Sequence, residues 1–240
     1  MSLLNDWRSL VGELCPESCP GCEMPSGAGF CSACRQAFAR IDSPCRRCGL
    51  SAWHQRCPAL AADWRIDSVR APFIYAPPLT TFLQALKYAK ERHLGRALGQ
   101  LLLGELGSVP RQVDALLAVP LHPRRLRVRT FNQADEIARP LARAFGCHLL
   151  VAGVRRSRHT EPQTGLDRRE RVTSLKRAFT VRRSLQGLKL AIIDDVITTG
   201  ATINALGGAL KAAGADRVEA WAVARAIGPA TGNGYAPRKR

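Results

Sequence analysis

Aromatic side chains make up only 6% of the 240 residues, so a grip on any polymer of bases must rest on charge more than on stacking. No apolar run approaches the ~20 residues that a membrane-crossing helix needs, and no membrane insertion is expected. The opening stretch, "MSLLNDWRSLVGELC", lacks a basic flank followed by a long apolar segment. A secretory leader is therefore not expected, and the chain reads as cytoplasmic. A GxxxxGK[ST] loop is absent, as is GxGxxG after a strand, which excludes the commonest nucleotide-binding turns. Acidic residues are scarce as well, 19 against 36 lysines and arginines, a formal charge of +17.

The excess charge is concentrated. Between Arg124 and Arg183 there are 16 basic and 5 acidic residues. Such a field attracts polyanions, either nucleic acid or small phosphorylated ligands. A solvated basic surface without a partner is the competing reading of charge taken alone.

Cysteine is abundant, and eight of the nine lie before residue 60. In a cytoplasmic chain that usage points to metal rather than to disulfides. Cys19, Cys22, Cys31 and Cys34 form two CxxC knuckles eight residues apart. The pattern returns 26 residues on as Cys45, Cys48 and Cys57, with Leu60 where the fourth cysteine belongs. The first copy is a complete tetrahedral Zn(II) set and predicts a closed structural site. In the second copy three alternatives stand for the fourth position: His54 within the loop, Cys15 from outside, or no protein ligand. Residues 15–60 are too few to fold on buried surface alone, so metal is expected to stabilise them.

Beyond the knuckles, residues 69–79 predict a strand that ends at Pro77 and Pro78, and residues 79–106 a helix with a break at Gly95 or Gly99. "ALLAVP", "CHLLV", Leu190–Ile193 and Val218–Ala224 predict further strands. Helices are expected over Asn132–Phe145, with a kink or break at Pro140, and over Thr202–Ala213. Residues 153–178 carry no clear periodicity. Alternating strands and helices imply an α/β fold with a parallel sheet covered on both faces. This domain is expected to span 68–227, ahead of a disordered basic tail over 228–240.

One stretch carries the chemistry: "LAIIDDVITTGAT", Leu190 to Thr202. The strand delivers Asp194 and Asp195, and Thr198, Thr199, Gly200, Ala201 and Thr202 lead into a helix N-terminus. Free N–H groups, hydroxyls and an unhindered glycine suit a phosphate. The two carboxylates suit the hydroxyls of a ribose, so together the stretch predicts a site for a ribose 5-phosphate moiety.

"IIDDVITTGAT" resembles the phosphoribosyl diphosphate (PRPP) motif of type I phosphoribosyltransferases. Together with "VPLHPRRLRVRTFNQADEIARPLA", the knuckles and "LKY" at Leu86–Tyr88, it resembles the ComF family over residues 15–227. The resemblance implies a phosphoribosyltransferase-like fold with a small double zinc ribbon at its N-terminal end. It also implies PRPP held with Mg(II), Asp194 and Asp195 on the ribose hydroxyls, and Thr198–Thr202 on the 5-phosphate. Arg125 and Arg129, after the turn at Val119–Pro120, would neutralise diphosphate or a nucleic-acid backbone. Asn132 and Gln133 would brace that turn, with helix capping the alternative for Asn132. Arg158, Gln163 and Arg171 would reach the ligand from a mobile loop over 155–174. Three positions depart from the family pattern: Thr130 replaces Gly, Ser174 replaces Asn, and Leu60 replaces a knuckle cysteine. Two activities follow from the likeness. One is handling of single-stranded DNA during natural transformation. The other is displacement of diphosphate from PRPP onto an acceptor. A separate reading is a scaffold whose knuckles dock competence machinery proteins such as a helicase or membrane channel component.

Overall fold

The computed structural model describes residues 18–27, 29–51, 57–107, 113–151, 153–156 and 178–227. Its frame is a parallel sheet in the order β1-β8-β7-β3-β4. Strand β1 is Ser68–Arg70, β3 Ala115–Ala118, β4 His148–Leu149, β7 Lys189–Ile197 and β8 Arg217–Arg225. The stretch expected as one strand before the prolines is two short pieces, β1 and β2 (Phe73–Ile74), both paired parallel to β8. An antiparallel pair, β5 (Val154–Arg156) and β6 (Phe179–Val181), flanks the stretch that showed no periodicity.

Alternation along the central strands divides the core in two. Ala191, Ile193, Trp221 and Val223 face one layer, formed by α2 (Leu79–Gln84), α3 (His93–Leu106) and α5 (Gln133–Phe145). Leu190, Ile192, Val218 and Ala220 face the other, formed by α6 (Ala201–Ala212) and the β5–β6 pair. Among the described residues no helix is long and apolar enough to cross a membrane.

Three expectations about element boundaries are corrected. The long helix breaks at Lys90, which closes a π-turn over Ala85–Ala89 in the left-handed conformation (φ 60°), not at Gly95 or Gly99. Those glycines lie inside α3 where it meets α5: a Cβ on Gly95 would collide with Glu136, and one on Gly99 with Pro140 and with Ile137 O at 2.5 Å. They are there for close helix packing, not for flexibility. Pro140 sits buried within an unbroken α5. The third strand does not stop at Ile193 but runs on to Ile197, because β-branched Val196 and Ile197 keep pairing with β8. Asp194 and Asp195 therefore lie within the strand and not beyond its end.

The knuckle repeat is also a repeat of backbone structure. Cys19 N–H donates to Met24 O (2.8 Å) as Cys45 N–H does to Leu50 O (2.7 Å). Bridges join Ser18 to Pro25 and Pro44 to Ser51. Each turn passes through one left-handed residue, Glu23 in the first copy and Gly49 in the second. The first knuckle pair, which carries the short helix α1 (Ser32–Gln36), docks on the domain through Phe30, Phe38, Phe73 and Phe82, whose rings meet edge to face with centroids 4.9–6.1 Å apart. Arg40 adds a two-pronged ion pair with Glu105 of α3. The second copy packs on β1, where Gly49 lies so close that a Cβ would meet Val69 at 2.8 Å.

Candidate ribose-phosphate site and metal clusters

Because neighbouring strand residues point to opposite faces, Asp194 and Asp195 have different surroundings. Asp195 is 3% exposed, and its Oδ2 takes the ammonium of Lys87 from the π-turn. Asp194 is half-buried, and its Oδ1 accepts from the Asp195 N–H at 2.9 Å. Burial, reinforced by the Asp195 charge, raises the Asp194 carboxyl well above the usual range, against a smaller pull from Lys87. The pair thus rests with one charge compensated by Lys87 and one acid held toward its neutral form. Two adjacent carboxyls offer acceptor oxygens to the two hydroxyls of a ribose diol.

Immediately after β7 the chain turns through Thr198, Thr199 and Gly200 into the twelve-residue helix α6. Thr198 and Thr199 are exposed. Gly200 has φ 84°, a conformation that side chains resist, and a Cβ there would lie 2.9 Å from the Trp64 ring. Thr199 Oγ1 accepts from Ala201 N–H at 3.3 Å, while Ala201 and Thr202 belong to the first turn of α6. Oriented N–H groups and a helix N-terminus face this loop, which suits an anion.

Arg156 lies near enough to Asp194 to feel its charge, and further arginines gather on the adjoining surfaces. The turn after Pro120 enters α4 (Pro123–Arg129). On one side of α4, Lys87, Tyr88, Lys90, Arg125, Val128 and Arg129 line a shelf with a hollow of about 460 Å³. Tyr88 is 72% exposed, and the Arg129 guanidinium stacks over its ring at 5.5 Å. At the N-terminal end of α4, His122, Arg155, Arg156 and Arg182 line a second hollow of about 430 Å³. Arg156 packs over Phe179 at 5.6 Å; burial and then the Arg125 charge lower its pKa, while the Asp194 charge works to raise it. Asn132 both caps α5, accepting from Ala134 N–H (3.2 Å), and donates to Val119 O (3.1 Å) at the start of the arginine-bearing turn. Gln133 is buried, and its Oε1 has no partner among the described residues. Thr130 closes α4 at φ 68°, the left-handed position where the family pattern has glycine.

Lys87, Arg156, Tyr88 and Trp64 are site residues that sequence reasoning did not assign. The available signal was the "LKY" stretch, Leu86–Tyr88, which carries both Lys87 and Tyr88. Arg158, Gln163, Arg171 and Ser174 lie outside the described residues, as do Cys15 and His54.

The cysteines converge as two clusters. Cys19, Cys22, Cys31 and Cys34 offer sulfurs all within 4.8 Å of one another, and so do Cys45, Cys48 and Cys57. The Cys22–Cys31 sulfur separation of 3.6 Å matches the edge of a tetrahedron with Zn–S bonds of about 2.3 Å. Cys19 Sγ accepts from the N–H groups of Cys31 (3.3 Å) and Gly21 (3.4 Å). Burial works to raise this thiol, but those donors outweigh it and bring it down to about 6. The hydrogen bond with Cys19, with burial behind it, pushes Cys34 up to about 12. Four thiols so close cannot all ionise without a cation among them, so the donor set fits Zn(II). In the second cluster Leu60 is 78% exposed on the turn after Cys57.

Comparison with known proteins agrees with this arrangement. The phosphoribosyl transferase domain matches residues 133–232. The chain is 36% identical over 226 residues to the DNA utilization protein YhgH of Salmonella typhi, covering 88% of this chain and 98% of that one. It is 31% identical over 209 residues to competence protein F of Haemophilus influenzae, covering 82% and 91%. A purine phosphoribosyltransferase from Pyrococcus horikoshii superposes on 60% of this chain and 91% of its own, with a TM-score of 0.32 and 14% identity, too loose to carry an argument. The parallel sheet, the acid pair ahead of a glycine loop, and relatives that match nearly end to end lead to one conclusion: the chain belongs to the ComF family of phosphoribosyltransferase-like proteins.

Proposed function

We propose that this protein binds PRPP with Mg(II) at Asp194, Asp195 and the Thr198–Thr202 loop, grips single-stranded DNA on the adjoining basic shelf, and acts in DNA uptake in the cytoplasm. The observation that carries the reading is continuity. Lys87 lines the shelf and also holds Asp195, so the polyanion surface and the acid pair share a residue. An exposed tyrosine flanked by arginines is a platform for one base between backbone phosphates. The relatives named for competence and DNA utilization support the same role. Zn(II) in the first cysteine cluster stabilises the ribbon beneath α2 and α3. Mg(II) would supply charge screening for the diphosphate; Arg125 and Arg129 add fixed positive charge beside it.

Two titrations test the proposal. Calorimetry with PRPP and Mg(II) should show binding to the wild type and none to the Asp194→Asn, Asp195→Asn variant. Oligothymidylate binding should weaken steeply as salt rises, and Tyr88→Ala with Arg129→Gln should flatten that slope. A flat salt response in the wild type would sink the DNA reading.

A cleft of about 1020 Å³ beside Thr199 and Ala201, walled by Trp64, Arg65, Phe179 and Asn204, favours a second reading. It gives room for an acceptor that attacks the anomeric carbon of PRPP as diphosphate leaves with the bonding electron pair. Diphosphate release that depends on an added acceptor and is lost in the double Asn variant would establish transfer.

A further inference from the structure

Arg225 closes β8 and is 1% exposed, yet no carboxylate pairs with it among the described residues. Its Nε donates to Cys48 O at 3.1 Å. Its Nη1 donates to Ile197 O at 2.8 Å and also to Thr198 O. One guanidinium therefore spans from the second cysteine cluster to the last carbonyl of β7 and the first of the phosphate loop.

The far end of that loop rests on the same cluster. Trp64 packs against Cys48, Leu50 and Ala59, and its ring fills the space where a Cβ on Gly200 would stand. Asn204 of α6 holds the Trp64 segment in place, accepting from Arg65 N–H (2.6 Å) and donating to Asp63 O (3.1 Å). Both ends of the loop thus lean on side chains seated against Cys45, Cys48 and Cys57.

Peptide planarity says what the guanidinium does. In a trans peptide the carbonyl and the following N–H point in opposite directions. With the Ile197 and Thr198 carbonyls drawn toward Arg225, the N–H groups of Thr198 and Thr199 are turned to the other side, where an anion is cradled. A buried cation with no carboxylate also needs a negative neighbour. Three thiolates around one divalent ion carry a net negative charge, and they lie next to Cys48 O.

We propose that Arg225 is a positioning residue through which metal in the Cys45–Cys48–Cys57 cluster fixes the phosphate loop in its binding conformation. The proposal rests on the reading of that loop as a phosphate site, and its test keeps the two separable.

The zinc-loaded full chain, Arg225→Lys, Cys57→Ser and the double variant are titrated with ribose 5-phosphate, and zinc is counted under competition from a chromophoric chelator. Lysine keeps the charge but cannot reach all three carbonyls. Each single variant should weaken ribose 5-phosphate about tenfold, and the double variant no further, since both act through one link. Arg225→Lys should also release one zinc at lower chelator than the wild type does. Unchanged affinity in Cys57→Ser after it has lost one zinc would overturn the proposal, as would additive losses in the double variant. If Arg225→Lys does not melt cooperatively, Cys57→Ser still decides, because it leaves Arg225 in place. If the wild type takes no ribose 5-phosphate, the phosphate reading fails, and the chelator comparison alone judges Arg225: equal zinc retention overturns it.

Discussion

Lys87 and Asp195 form a largely buried ion pair that joins the π-turn before α3 to the acid pair of β7. Burial works against the Lys87 charge, but the charges and hydrogen bond of Asp195 outweigh it and hold the ammonium above its ordinary pKa. Removing one partner of such a pair leaves an uncompensated charge in the core. Lys87→Met should therefore destabilise the fold by about 3 kcal/mol in chemical denaturation. Lys87→Arg, which keeps the charge, should recover much of the loss. Equal stability of Lys87→Met and wild type would show that the pair does not hold Asp195.

The Asp194 carboxyl gives a dependence on pH whose sign is fixed. Its folded pKa is raised by burial and by Asp195, so the folded state holds this proton more tightly than the unfolded state. Stability from this group is complete below the ordinary carboxylate pKa and falls as pH rises from there toward the raised folded value. Asp194→Asn should remove that decline and melt higher than wild type at neutral pH. The same variant should lose PRPP with Mg(II), which needs the ionised acid. Thermal melts from pH 4 to 8 check the first statement and calorimetry the second.

Much of this site was legible in the sequence because its signals are local. A CxxC knuckle, a strand entering Asp194–Asp195 and a glycine before a helix each fit within a dozen residues. What escaped lies across the fold. Lys87 meets Asp195 only once α2 packs on the sheet, and Arg225 reads as the polar end of an apolar strand until its guanidinium turns back under the loop. Gly95 and Gly99 misled because glycine marks close approach as well as flexibility, and the sequence does not show the partner helix. The real break, at Lys90, uses a left-handed residue that is not glycine.

Thr130 is another such residue, and here the strain can be relieved. A β-branched side chain at φ 68° is disfavoured, and its hydroxyl donates a local hydrogen bond to Arg129 O (2.5 Å) in compensation. Thr130→Gly should stabilise the protein by about 1 kcal/mol. An unchanged or lower unfolding midpoint in urea would show that the hydroxyl contributes more than the strain costs.

The α3–α5 contact has no slack. A methyl on Gly99 meets Ile137 O and Pro140, both on the buried side of an uninterrupted helix. Gly99→Ala should cost about 2 kcal/mol despite the better helix propensity of alanine. Gly107→Ala, with open space around its Cβ but φ 62°, isolates the cost of backbone strain without a clash. The two variants compared in one denaturation series separate crowding from conformation.

Metal removal should act most strongly where thiols crowd the core. Cys19 is fully buried in the same cluster as Phe30 and Phe38, so the first knuckle pair is part of the wall against which α2 and α3 pack. Without a cation, the proton held on Cys34 at about 12 shows that four thiolates do not coexist. Zinc binding must therefore expel protons, so zinc should be held less tightly as pH falls. Chelation at neutral pH should lower the melting temperature and loosen the edge-to-face contact of Phe30 with Phe38, now 5.0 Å between centroids. Near-ultraviolet dichroism and aromatic side-chain NMR read that packing directly. A chelated chain that keeps both signals would mean that buried surface alone holds the ribbon, against the expectation from its short length.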